Sequence, residues 1–293
     1  MNLWVRVAPA VFVVVWSTGF IGARYGLPYA APLTLLALRM ALAAVVLAAL
    51  FAILRAPKLT VRQQFSRSAV IGILLHAVYL GGAFVAIDLG LPLSVTALIV
   101  CLQPLLVAVL AGPFLGEKVR LRQWLGFGLG FAGAAVVLAP GIGNGSMSIA
   151  AAGAAVAALA GSTFATLLQK RWGAGIPPLS GTLVQYIAAA GVLFVVAALT
   201  EPLTVEWSLS FAAVLAYMVL VLSVAAILLM FWLLRRGSAS GFSSLYFLVP
   251  PVTLLEAALL FGERLPATAL AGFAVATLGV ALVRAPRHVA ETS

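Results

Sequence analysis

The chain has 293 residues, 64% of them hydrophobic and 8% charged, with a formal net charge of +10. A soluble domain is roughly 45–50% apolar and about 25% charged; a water-soluble fold of this length cannot hide so much apolar surface, so the solvent is lipid. The single cysteine, Cys101, excludes internal disulfides, and its place in an apolar run points to packing.

Apolar runs of about 20 residues, the length that crosses a bilayer, fall at about 7 to 25, 33 to 54, 69 to 89, 93 to 115, 122 to 139, 149 to 171, 180 to 199, 209 to 233, 239 to 261 and 266 to 284. The connections between them are too short to fold alone. Arg6 precedes the first run, but nine spans follow and no small-residue cleavage site is evident, so a transmembrane span is expected there rather than a signal peptide.

Span 1 carries Ser17 and Arg24 seven residues apart with Phe20 between them, hence on one face. Trp16 either walls a pocket or fills lipid-facing volume, and Arg24 stands where it can meet a carboxylate. In span 2, Arg39 lies roughly 9 Å inside the helix end and is expected to snorkel to headgroups or bond loop carbonyls. Span 3 places His76 and Tyr79 at i, i+3, followed by Phe84; the histidine is either a packing residue or a pH-responsive cavity group. Span 4 contains Pro104, which like Pro250 in span 9 is a kink or hinge, and ends at Glu117, read as an interfacial end cap or a structural pair. Span 5 offers a small-residue face, Gly126, Gly130 and Ala134, suited to close packing within the molecule or at a dimer seam.

Span 6 bears a polar stripe, Ser162, Thr166 and Gln169, which must meet a cavity or another helix. Span 9 begins a polar stripe at Ser243, Tyr246, Pro250 and Thr253. Glu256 follows, about 60° from Thr253 on the helix wheel but drifting off that stripe. An acid at this depth is a functional candidate by default; its readings are a structural acid or a proton-coupling group. Glu263 is read, like Glu117, as an end cap, and Gly272, Ala276 and Gly279 of span 10 form a second packing face.

With the N-terminus cytoplasmic and the spans alternating, Arg55, Lys58, Lys118, Arg120, Lys170, Arg171, Arg235 and Arg236 lie inside, while Asp88, Glu201, Glu206 and Glu263 lie outside. This positive-inside bias predicts cytoplasmic termini. It also makes the basic charge a record of orientation, with anionic lipid headgroups as partners and no role for nucleic acid.

The chain also matches itself. Shifted by 146 residues, Pro104, Gly116, Glu117, Gly126, Phe127, Gly133, Ala139 and Pro140 fall on Pro250, Gly262, Glu263, Gly272, Phe273, Gly279, Ala285 and Pro286. Residues 1–139 and 149–284 are therefore expected to be two copies of five spans. Because five is odd, the second copy enters from the opposite side. The expected fold is an all-α integral membrane protein of ten transmembrane helices in two inverted repeats, an architecture that places substrate near the midplane and supports alternating access.

The pattern Trp16-Ser17-Thr18-Gly19-Phe20, Pro32 with Leu38-Arg39-Met40, and Gly116-Glu117 with Gln123-Trp124-Leu125-Gly126 and Gly133 resembles the drug/metabolite transporter superfamily, in its ten-helix branch with two EamA-type repeats. Within that branch the chain is similar to the YddG-like exporters of aromatic and other neutral amino acids. The resemblance implies a central cavity enclosed by helices 1, 3, 4, 6, 8 and 9, with helices 2, 5, 7 and 10 peripheral. Together with the helical spacing of the polar stripes and the aromatic residues, this predicts a cavity lined by Trp16, Ser17, Phe20, Arg24, His76, Tyr79, Phe84, Ser162, Thr166, Gln169, Ser243, Tyr246 and Thr253.

The residue inventory holds no metalloprotease helix motif, nucleophile elbow or phosphate-binding glycine loop, so an enzyme is not expected, nor is a metal or cofactor. Span 1 has no acid between Val7 and Arg24, unlike proton-coupled exporters of cationic drugs, and a phosphate dianion needs more cations than Arg24 and Arg39 supply. The expectation is a plasma-membrane exporter or facilitator of neutral, preferably aromatic or large apolar, amino acids, working as a monomer or weak homodimer. The alternative is a broader metabolite or drug exporter driven by proton antiport.

Overall fold

The computed structural model describes residues 3–91, 93–139, 148–261 and 267–284; within these ranges the side chains of Leu3, Phe20, Arg24, Leu93, Ser94, Ala257 and Phe261 are not described. Among the described residues, ten helices are long and apolar enough to span a membrane: Trp4–Ala23, Pro32–Ile53, Arg62–Asp88, Val95–Leu115, Leu121–Leu138, Ile149–Gly175, Pro178–Thr200, Leu209–Arg236, Ala239–Leu260 and Ala267–Arg284, here spans 1 to 10. No strand is present among them, only an isolated bridge between Ala30 and Val205.

Helix starts follow from residues that satisfy or remove the first free N–H groups. Pro32 and Pro178 open spans 2 and 7, where proline costs no hydrogen bond. Ser148, Ser208 and Ser238 accept from Ala151 N, Phe211 N and Gly241 N at the heads of spans 6, 8 and 9. Two glutamates do the same across the fold. Glu201 accepts from Leu33 N and Thr34 N at 2.9 and 2.8 Å and from the Thr34 hydroxyl, holding the head of span 2. Glu117, expected as an end cap of span 4 or a structural pair, caps span 9 across the fold, taking Ala239 N at 2.8 Å, Ser240 N and the Ser240 hydroxyl. Gly116, at φ +70, makes the turn that frees it from span 4. Glu263 lies outside the described residues.

Spans 4 and 9 break ahead of their equivalent prolines. Span 4 leaves the helix at Cys101–Leu102 and restarts at Gln103–Leu115; span 9 passes through a 3₁₀ stretch, Ser244–Leu248, and restarts at Val249–Phe261. Pro104 and Pro250 sit in the first turn of each restart, where the missing N–H is tolerated. Spans 3 and 8 contain a second matched irregularity: each widens into a π-helix, at Ile73–Gly81 and Met218–Ala226. Hydrophobic periodicity carries no sign of these segments, which stand at the same place in the two halves and, as π-turns often do, beside the site.

Packing repeats under exchange of the halves. Span 1 packs on spans 8 and 9 as span 6 packs on spans 3 and 4, span 2 packs on span 7, and span 5 packs on span 10. This is the contact pattern of two inverted five-helix repeats. The small-residue faces of spans 5 and 10 meet inside the molecule. A Cβ built on Gly126 would stand 2.6 Å from Gly279 O, and one on Gly272 2.7 Å from Gly133 O, so only glycine allows this approach.

The alternating topology is visible at both ends. At the end where span 1 begins, the near end, Gln64 Nε2 donates to Gly175 O and the Ser180 hydroxyl to Pro57 O. Lys170 Nζ donates to Leu234 O and Gly237 O, and Arg235 to Gly173 O and Ile176 O. At the opposite, far end, Glu206 N donates to Tyr29 O beside the Ala30–Val205 bridge.

Candidate functional site

The bundle encloses a cavity of about 670 Å³. It reaches the far end, where Leu27, Ile87 and Leu138 belong to its wall, and descends to His76, Tyr186 and Tyr246 at mid-bundle. At the near end beneath it the helix ends are tied together by the Glu117 cap on span 9 and the Lys170 and Arg235 contacts, which border a smaller cavity of about 190 Å³, and an aromatic cluster lies below the main cavity. In that cluster Trp16 meets Tyr246 edge-on at 5.9 Å, while Phe12 lies behind both, 5.2 Å from Trp16 and 5.3 Å from Phe242. The Tyr246 hydroxyl is spent on Met230 Sδ at 3.7 Å, so the ring presents its apolar body to the cavity.

The polar side of the cavity is built from spans 2, 3, 7 and 8. Arg39, buried at 8% exposure, donates Nε to the Ser223 hydroxyl at 2.8 Å. Tyr186 donates its hydroxyl to the Ser223 carbonyl at 2.7 Å, within the π segment of span 8. Its ring lies 4.3 Å from that of His76, whose Nε2 is buried without a hydrogen-bond partner among the described residues. No Asp or Glu is among the described lining residues, and no group of three or more His, Cys, Asp or Glu is placed to hold a metal ion among the described residues.

Of the residues singled out from the sequence, Trp16, His76, Tyr79, Phe84, Tyr246, Pro250 and Thr253 line this one cavity. Ser17 does not: its hydroxyl donates to Val13 O and Val249 O, while Thr253 Oγ1 donates back to Ser17 O, tying span 1 to span 9. The stripe on span 6 is also consumed between helices. Ser162 and Thr166 bond back to Leu159 O and Ser162 O, Thr166 accepts from Gln103 Nε2, and Gln169 accepts from Gln185 Nε2. Ser243 is buried with its hydroxyl unpartnered among the described residues, Pro104 is buried behind the wall, and neither lines the cavity. Glu256 also stands off the cavity, both carboxyl oxygens buried without a partner among the described residues. The side chains of Phe20 and Arg24 lie outside the described residues.

Residues 4–139 and 149–285 each match the EamA-like transporter family. The chain belongs to this family. It is similar to the inner membrane transporter YedA of Escherichia coli (strain K12), 28% identical over 281 residues covering 94% of this chain and 89% of that protein. It is 25% identical over 275 residues to the transporter YvbV of Bacillus subtilis (strain 168), with the same shares covered. A probable terminal-alkyne amino-acid exporter of Streptantibioticus cattleyicolor is 30% identical over 281 residues, 92% of this chain and 90% of that one. A solved crystal structure shares the fold with a TM-score of 0.80 over 96% of this chain and 97% of its own, at 19% identity.

The cavity of this EamA-like transporter differs from the one the family resemblance implied. Span 2 supplies Arg39, span 5 Val137 and Leu138, and span 7 Tyr186, whereas span 6 contributes nothing to the described wall. The reason is close packing: Gly161 brings span 6 so near the π segment of span 3 that a Cβ there would lie 2.9 Å from Leu74 O and Tyr79 N. Arg39, expected at the headgroups, turns inward because Ser223 supplies an acceptor that lipid cannot. A sequence signal for this existed: position 39 shifted by 146 is Gln185, so both copies carry a polar residue at the same depth of an otherwise apolar helix. Thr96 and Cys101 also line the wall; nothing in the spacing of span 4 distinguished them from packing residues.

Proposed function

We propose that this EamA-like transporter carries neutral amino acids with aromatic or large apolar side chains, and related metabolites, out of the cell by alternating access. The observation that carries the reading is the composition of the cavity wall. A volume of about 670 Å³, within the range of small-molecule sites, is faced by Trp16, Tyr79, Phe84 and Tyr246 on an apolar scaffold, with Arg39 as the one basic side chain apart from His76 among its described residues. An apolar solute with a single carboxylate fits such a wall. A phosphate dianion would demand more cations, and a cationic drug an acid that the described wall lacks. The relative named as an amino-acid exporter supports the same class.

The orientation follows from charge. The near end carries Arg55, Lys58, Lys118, Arg120, Lys170 and Arg236, and the far end Asp88, Glu201 and Glu206, so the near end and both termini are cytoplasmic. The cavity then faces outward, in the releasing state of an exporter. Substrate runs down its own gradient, since the described wall contains no carboxylate to exchange a proton in step with it. The test is counterflow in liposomes containing only this protein, preloaded in turn with phenylalanine, tryptophan, leucine, a cationic dye or a sugar phosphate. Exchange of the amino acids is expected; exchange of dyes or phosphates with none of amino acids overturns the reading.

A further inference from the structure

We propose that Arg39 is the anchor for the substrate's carboxylate, and that the site selects for that carboxylate while asking little of the amine. The inference deepens the functional reading above and rests on it. A guanidinium taken out of water costs several kcal/mol unless an anion compensates it, and Arg39 is buried at 8% exposure in the wall of the cavity. The other ionisable groups among the described residues of the wall are His76, Tyr79, Cys101, Tyr186 and Tyr246, none of them a carboxylate. The missing counter-charge is what a ligand brings.

The geometry prepares the guanidinium for that ligand. Ser223 holds Nε at 2.8 Å, which fixes the plane of the fork and leaves the two Nη nitrogens without a described protein acceptor. Those two nitrogens form the edge that binds a carboxylate in bidentate fashion. Ser223 is braced in turn by the Tyr186 hydroxyl on its carbonyl, and Tyr186 by the ring of His76. Ser223 and Tyr186 are thus positioning residues, and Arg39 the binding one. Tyr79 lines the same cavity as Arg39 on its charged side and Tyr246 on its aromatic floor. A phenyl or indolyl body on the floor therefore places its carboxylate toward Arg39. The ammonium finds only neutral acceptors, such as phenol oxygens and the Thr253 hydroxyl.

The probes are L-phenylalanine, 3-phenylpropionate, which lacks the amine, and L-phenylalaninamide, which lacks the carboxylate. In the wild type, 3-phenylpropionate is expected to compete with phenylalanine counterflow about as well as phenylalanine itself, and the amide at least tenfold more weakly. Arg39→Gln should raise the half-inhibitory concentration of the acid at least tenfold while leaving that of the amide unmoved. A folded Arg39→Gln protein that still prefers the acid to the amide overturns the proposal, as does a wild type that prefers the amide. Should Arg39→Gln fail to fold, Ser223→Ala keeps the charge but frees the fork. A severalfold weakening for the acid alone then supports the anchor, and an unchanged preference refutes it. Should no amino acid exchange at all, the functional reading fails, and the anchor is judged by heating the detergent-solubilised wild type and Arg39→Gln with each probe. Stabilisation by 3-phenylpropionate in the wild type, lost in Arg39→Gln, upholds it; no acid-specific stabilisation sinks it.

Discussion

Replacing Gly133 with alanine tests whether the seam between spans 5 and 10 is the fixed spine of the bundle. A Cβ at Gly133 would stand 2.5 Å from Gly272 O, and one at Gly279 2.6 Å from Gly126 O. Contact at a normal separation of about 3.5 Å requires the helices to part by roughly 1 Å. A gap of that size forfeits about a quarter to a half of the dispersion energy along the contact, and lipid offers no hydrophobic force to close it again. The expected cost of Gly133→Ala is ~1–3 kcal/mol, and Gly279→Ala should match it. The double substitution should cost less than the sum, because the first already opens the seam that the second needs. Gly128→Ala is the control: no atom lies within 4 Å of its Cβ, and alanine is the better helix former by about 1 kcal/mol. Thermal unfolding in detergent, followed by loss of monodisperse protein, reads the order. If Gly133→Ala melts with or above Gly128→Ala, the two helices are not in backbone contact and the reasoning fails.

Three further outcomes follow from the same contacts. Cys101, the only cysteine, lines the cavity; a small membrane-impermeant thiol reagent added from outside should label it slowly, phenylalanine should protect it, and complete inertness would remove span 4 from the wall. Glu117→Gln removes the charge from a carboxylate accepting three hydrogen bonds at the head of span 9; a loss of about 1–2 kcal/mol from the near-end closure should shift the population toward the inward-open state, seen as slower labelling of Cys101 from outside. Glu256→Gln should keep substantial counterflow, since Glu256 lies off the cavity; uphill accumulation driven by a pH gradient in the wild type and lost in this variant would make it the coupling site instead.

The parts of the structure legible in the sequence are those whose signal is summed over many residues. Span positions rest on runs of about 20 residues, and the inverted duplication on several identities at one offset, so neither depends on any single side chain. The cavity was legible where aromatic bulk marked it, as at Trp16, Tyr79, Phe84 and Tyr246. It was illegible where direction decided. Ser162 and Thr166 have a helical spacing equally suited to a cavity or to back-bonding, and Gly161 settles the choice by closing the gap. The inward turn of Arg39 depends on Ser223, 184 positions away along the chain. The π segments of spans 3 and 8 leave no periodic trace at all, yet they set where His76 and Ser223 point.

The repeat gives the span 6 stripe a second meaning. If the halves exchange conformations during transport, the residues that line the cavity in one state are replaced in the other by their counterparts 146 positions away. Trp16, Ala23 and Arg39 line the present cavity, and their counterparts are Ser162, Gln169 and Gln185. These are the side chains now locked in helix contacts, Gln185 on Gln169 and Ser162 on Leu159 O. In the near-open state they should face water, so the polar stripe is glue in one state and wall in the other. Hydrogen bonds in both states also explain how such groups are tolerated inside a membrane, where an unmet polar group costs several kcal/mol. In a background lacking Cys101, a cysteine at Ser162 should react with a polar thiol reagent from the near side only, faster in Glu117→Gln, and more slowly when the far-facing state is trapped. Reaction of Ser162→Cys from the far side, or complete protection in the Glu117→Gln background, would mean that the two halves do not trade places.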